Sequence, residues 1–159
     1  MATSPGPAGA ASPASVQGAQ ALLAARSRKG ASWFYWIAGL SVANSAIAHF
    51  GGNVHFVVGL GITEVFDALT REGPSALSGW LVSLCVAGVF VLCGYQAVRQ
   101  KNGAFVGGMV VYGLDAALTL FASDYFATAF HAYVLFMLYQ GWRALGELKK
   151  LESPGAFPG

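Results

Sequence analysis

GAFVGGMVVYGLDAALTLFASDYFATAFHAYVLFMLYQGW, residues 103–142, is the stretch whose reading decides the fold. It holds two apolar runs, each close to the length of about twenty residues that crosses a bilayer as a helix. The polar Ser123 and Asp124 between them make a tight turn. Eight residues before Ser123 stands Asp115 and eight after it stands His131, so an antiparallel hairpin places the two at one depth. No other acid, base or imidazole lies inside these runs. An acid level with an imidazole in hydrocarbon is the most specific chemistry the chain offers.

Outward from the hairpin, composition agrees with a membrane reading. Of the 159 residues, 55% are hydrophobic and 10% are charged, where soluble domains carry roughly 25%. The apolar residues come in long blocks and not in amphipathic stripes. A net charge of +2 is too small to imply a nucleic-acid partner, and the bases cluster near the ends of apolar runs, as membrane orientation requires. Cys85 and Cys93 share one apolar run about 12 Å apart along a helix axis, too far to bridge. They are expected as small packing residues.

Residues 1–31, rich in Ala, Ser, Pro and Gly and free of acid, read as a disordered cytoplasmic tail with a basic cluster at Arg26, Arg28 and Lys29. The same composition also suits a transit peptide, and Ala46-Ile47-Ala48 imitates a signal cleavage site. Residues 32–50 form the first predicted span. Trp33, Tyr35 and Trp36 match an interfacial aromatic belt, and Ser41, Asn44, Ser45 and Ala48 make a small polar stripe at helical spacing that should face the bundle. Further spans are predicted at 76–98, 103–122 and 125–142, with the bundle covering 32–145 and a short cytoplasmic tail at 146–159. Gly103, Gly107 and Gly108 open the third span with spacing that permits close approach of a neighbour, and a Gly103/Gly107 face suits a homo-oligomer contact.

The segment 53–69 is short for a span and amphipathic. Leu60, Glu64, Asp67 and Arg71 share one helical face, and Arg71 lies four residues after Asp67, where it can pair with it. If it crossed, the Arg99 and Lys101 loop would lie opposite the basic N-terminal tail. If it re-enters or lies on the outer surface, all bases but Arg71 fall on one side, as the positive-inside rule demands. The expectation is therefore an all-α polytopic membrane bundle of four transmembrane helices plus a re-entrant or interfacial helix, with both termini cytoplasmic. Residue counting then puts Asn44, Ser83, Asp115 and His131 about 10–12 Å beneath the outer surface.

An intramembrane acid costs about 2.5–3.5 kcal/mol to insert and so needs a partner. The plain reading is structural: Asp115 and His131 bond to each other and lock the hairpin, with Tyr112, Thr119, Thr128 and Tyr139 completing a network. A proton- or cation-coupled transporter or channel subunit using Asp115, His131 and Glu64 is the alternative, because irregular backbone at Gly59 and Gly61 can enter a bundle where it lines water. A metal site is a further alternative, with His49, His55, His131, Glu64 and Asp67 as ligand types, although no helical spacing fixes two of them on one face. Ser83, His131 and Asp115 also offer the residue types of a hydrolytic triad, yet no GxSxG accompanies them. No enzyme activity and no cofactor is expected.

Phe34-Tyr35-Trp36-Ile37-Ala38-Gly39-Leu40-Ser41 with Asn44-Ser45, Gly59-Leu60-Gly61-Ile62-Thr63, and Gly108-Met109 with Tyr112 and Leu114-Asp115 together resemble a group of small bacterial polytopic membrane proteins without assigned activity. The resemblance spans roughly residues 33–142. It implies a bacterial inner-membrane location and carries no functional residue with it.

Overall fold

The computed structural model describes residues 13–49 and 76–153, with side chains described for 14–47 and 81–153. Among them the chain is all-helical, without strands: α1 (Pro13–His49), α2 (Ala76–Val98), α3 (Asn102–Phe121) and α4 (Tyr125–Glu152). The segment 53–69, expected as a re-entrant or interfacial helix, lies outside the described residues, as do His55, Glu64 and Asp67. Two helices, α2 and α3, are long and apolar enough to cross a membrane. Their most apolar stretches are only 28% buried, so most of that apolar surface faces away from the protein, unlike the core helix of a soluble domain.

The two short turns show why neighbouring helices run antiparallel. After α2, Gln100 N–H donates to Ala97 O at 2.9 Å and Lys101 N–H to Gln96 O at 3.1 Å; after α3, Ser123 N–H donates to Leu120 O and Asp124 N–H to Thr119 O, both at 3.0 Å. These paired bonds satisfy the orphan carbonyls of a helix end and reverse the chain. Each needs one residue at positive φ, supplied by Gln100 (62°) and Ser123 (60°). Asp124 then caps α4, its Oδ1 accepting from Ala127 N–H at 2.9 Å.

α1 closes the bundle by packing along both α2 and α4, while α3 packs along α4. Its partners descend as its own numbers rise. On α2, Gly94 meets Tyr35 and Ser83 meets Ser45; on α4, Gly141 meets Gly30 and Tyr133 meets Trp33. The order is therefore up-down-up-down, and Arg26, Arg28, Lys29, Arg99, Lys101, Arg143, Lys149 and Lys150 all lie towards one end of the bundle.

Phe34 fills the centre. Its fully buried ring stacks with Phe90 at 6.3 Å and tilts against Phe105 at 5.9 Å, and it reaches α3 because Gly108 has no side chain. A Cβ at Gly108 would overlap the Phe34 ring, and one at Gly94 would press on Tyr35 and Phe34. Gly103, Gly107 and Gly113 instead face open space, so of the four α3 glycines only Gly108 serves the packing inside the chain.

Helix α1 begins at Pro13, whose missing N–H suits the first turn. Residues 13–31, expected in a disordered tail, are thus helical. The difference has a physical reason: Ala19-Gln20-Ala21-Leu22-Leu23-Ala24-Ala25-Arg26 consists of the best helix formers, and Ser27 and Ala31 are buried. α4 likewise continues past Trp142 to Glu152, burying Ala144, Leu145 and Leu148. Cys93 packs half-buried against the core, whereas Cys85 is exposed, so of the two cysteines expected as small packing residues Cys93 is the one that meets the core.

Replacing Gly141 with Leu forces α1 from α4 and should destabilise the protein by about 1–3 kcal/mol or more, whereas Gly107→Leu, which meets open space in a helix interior, should not lower the melting temperature in detergent. Ser123→Gly and Gln100→Gly should each raise stability by about 0.5–1 kcal/mol by relieving the left-handed backbone. Thermal melts of the purified variants check both.

Candidate functional site

The turn that ends at Asp124 positions the buried pair through a short chain of bonds. Asp124 holds the N–H of Ala127, and the carbonyl of Ala127 lies 2.7 Å from His131 Nδ1. A carbonyl only accepts, so Nδ1 carries a proton and donates it. The other ring nitrogen, Nε2, stands 2.9 Å from Asp115 Oδ2. His131 is fully buried and Asp115 nearly so.

These two contacts fix the proton count. With Nδ1–H committed to Ala127, the Nε2 to Oδ2 contact is favourable only when one proton lies between the two atoms. The pair is then either imidazolium and carboxylate or imidazole and carboxylic acid, and both forms are neutral overall. Neutrality is what burial in a low-dielectric interior demands. Tyr112 stacks on the imidazole with ring centroids 4.7 Å apart, and Phe130 meets its edge at 6.5 Å.

Nearer the turn, Thr119 Oγ1 donates to Ala116 O and Thr128 Oγ1 to Asp124 O, with the two hydroxyls 3.1 Å apart. Tyr139, expected in this network, instead lies 44% exposed and contacts Trp142. Eight helical residues beyond His131 it is two turns away on another face. Tyr112 joins through its ring stack.

Between α1 and α2, Ser45 Oγ donates to Ser83 Oγ at 2.7 Å in a fully buried contact. Asn44 is also buried and partnered. Ser41 is buried completely, and its hydroxyl has no hydrogen-bond partner among the described residues. The stripe Ser41, Asn44, Ser45 therefore faces inward; Ala48 and His49 lie beyond the described side chains. The identity of Ser83's partner was not readable from the sequence, although Ser45 stood on the stripe that pointed to it.

Ser83, Asp115 and His131 do not assemble as a hydrolytic triad. Both nitrogens of His131 are engaged, by Asp115 and Ala127, and Ser83 bonds to Ser45. Among the described residues no three His, Cys, Asp or Glu side chains converge as a metal site; of the metal candidates only His131 has a described side chain.

Fold and site together define a helical bundle with a neutral carboxyl-imidazole pair in its interior. No family model, curated protein or solved structure matches this chain.

Asp115→Ala strands a buried imidazole and should cost about 3 kcal/mol, while Asp115→Asn, whose amide can donate to a neutral Nε2, should cost less than half of that. Ser45→Ala should destabilise by about 1 kcal/mol, and Ser41→Ala should be neutral or stabilising because it removes an unpartnered hydroxyl. Equilibrium unfolding in detergent measures all four.

Proposed function

We propose that the chain is a four-span bacterial inner-membrane protein with both termini in the cytoplasm, whose buried polar contacts serve to hold the bundle together. The observation that carries this reading is the inverted distribution of polarity. Ser41, Asn44, Ser45, Ser83, Asp115 and His131 are buried, while Leu81, Leu84, Leu92, Val110, Leu114, Phe121, Phe126 and Phe136 are exposed. Such a surface suits lipid and is unfavourable in water. The basic ends of all four helices lie together, which favours a cytoplasmic position for that end.

On this reading the Asp115–His131 bond locks the α3–α4 hairpin and the Ser45–Ser83 bond joins α1 to α2. Neither is part of an enzyme site. A second reading is favoured by one observation, the 2.9 Å approach of His131 Nε2 to Asp115 Oδ2: a proton shared between these atoms would have two neutral positions, which is the property a proton-coupled device uses.

Membrane-impermeant maleimide on intact cells tests the topology, using Cys85→Ala and Cys93→Ala as background. Tyr125→Cys should label from outside and Asn102→Cys only after the cells are opened. Proton flux into liposomes separates the two functional readings: with a structural pair neither wild type nor Asp115→Asn conducts, and flux in wild type that Asp115→Asn abolishes would replace it with proton coupling.

A further inference from the structure

A cavity of about 550 Å³ lies where α1 crosses α4 at the basic end of the bundle, within the range of about 300–1,000 Å³ typical of small-ligand sites. Its wall carries Arg26, Lys29 and Arg143 against one acid, Glu147, so three positive charges and one negative leave two in excess. Arg143 Nη2 donates to Glu147 Oε1 at 3.3 Å. Arg26 and Lys29 have no ion-pair partner among the described residues. The apolar side of the same cavity is formed by Trp33 and Phe136.

We infer that this groove binds a phosphate group, carried by an anionic lipid whose headgroup sits among Arg26, Lys29 and Arg143 while its first methylenes lie along Trp33 and Phe136. The lipid source rests on the membrane reading above; the phosphate chemistry does not. Guanidinium groups match phosphate oxygens with paired donors, and basic pockets between helices at the cytoplasmic face suit phospholipid headgroups. The concavity is what separates this from diffuse attraction. Arg28 and Lys150 lie at the same end of the bundle with the same charge but line no part of the groove, and the groove sets three cations around one concavity beside Trp33 and Phe136.

The test uses the full chain in detergent, with retention of phosphatidylglycerol and of phosphatidylcholine followed by native mass spectrometry. Wild type should retain phosphatidylglycerol preferentially. Arg26→Gln/Lys29→Gln should weaken that retention by about thirtyfold. The charge-matched control Arg28→Gln/Lys150→Gln should stay within about twofold of wild type, since all four side chains are exposed and none holds the fold. A second arm adds inorganic phosphate to lipid-free micelles. A rise in melting temperature that is lost in the groove variant but kept in the control keeps the phosphate site and makes its source soluble. Equal retention of the two lipids together with no response to phosphate, or equal losses in the groove variant and the control, would overturn the inference. Failure of the membrane reading is visible separately, as a protein that leaves the membrane fraction without detergent.

Discussion

The proton held between His131 Nε2 and Asp115 Oδ2 constrains the rest of the bundle. Neither residue tolerates burial alone in a low-dielectric interior, so α3 and α4 can meet only in the register that brings them within 2.9 Å. That register is reinforced from the turn, because the Asp124 cap fixes Ala127 and the Ala127 carbonyl fixes the imidazole plane. The stacked Tyr112 ring then fixes where α2 can lie, since Phe90 meets Tyr112 edge-on at 6.0 Å.

From Tyr112 the contact passes through rings to every helix. Phe90 of α2 stacks on Phe34 of α1, and Phe34 reaches Phe105 of α3 through the space left by Gly108. This aromatic column lies between the polar pair and the basic end. Tyr112 is its one member with an exchangeable side-chain proton, and the three phenylalanines beyond it offer neither donor nor acceptor. A proton leaving the pair towards the basic end along this column would need water where the rings now pack. That is the physical reason the structural reading stands ahead of proton coupling.

How much the sequence disclosed depended on whether counting could start from a short turn. Asp115 and His131 were legible because both are counted from Ser123, and the inward stripe of Ser41, Asn44 and Ser45 was legible from helical period alone. The partner of Ser83 was not: counting gives depth, not direction around the axis, and no short turn joins α1 to α2. Gly107 and Gly108 differ by one residue and so by about 100° of helix, which decides that one faces outward and the other receives Phe34; spacing could not choose between them. Residues 13–31 do not read as a helix from composition because Pro, Gly and Ser in the first dozen positions dominate the average and hide the helix-forming run from Ala19 to Arg26.

The run from Ala19 to Arg26 also explains the shape of the basic end. At about 1.5 Å per residue, the 37 residues of α1 extend about 55 Å, well beyond the roughly 30 Å of a hydrocarbon core. The surplus, on the proposed topology, stands on the cytoplasmic side against the surplus of α4. Gly30 and Gly141 meet there backbone to backbone, and among the described glycines only these two would set a Cβ against the other helix's backbone. Closeness has an electrostatic cost, because Arg26 and Lys29 on one helix are brought towards Arg143 on the other. Glu147 offsets only one of these charges. The contact that holds the two extensions together therefore also gathers cations around one cavity.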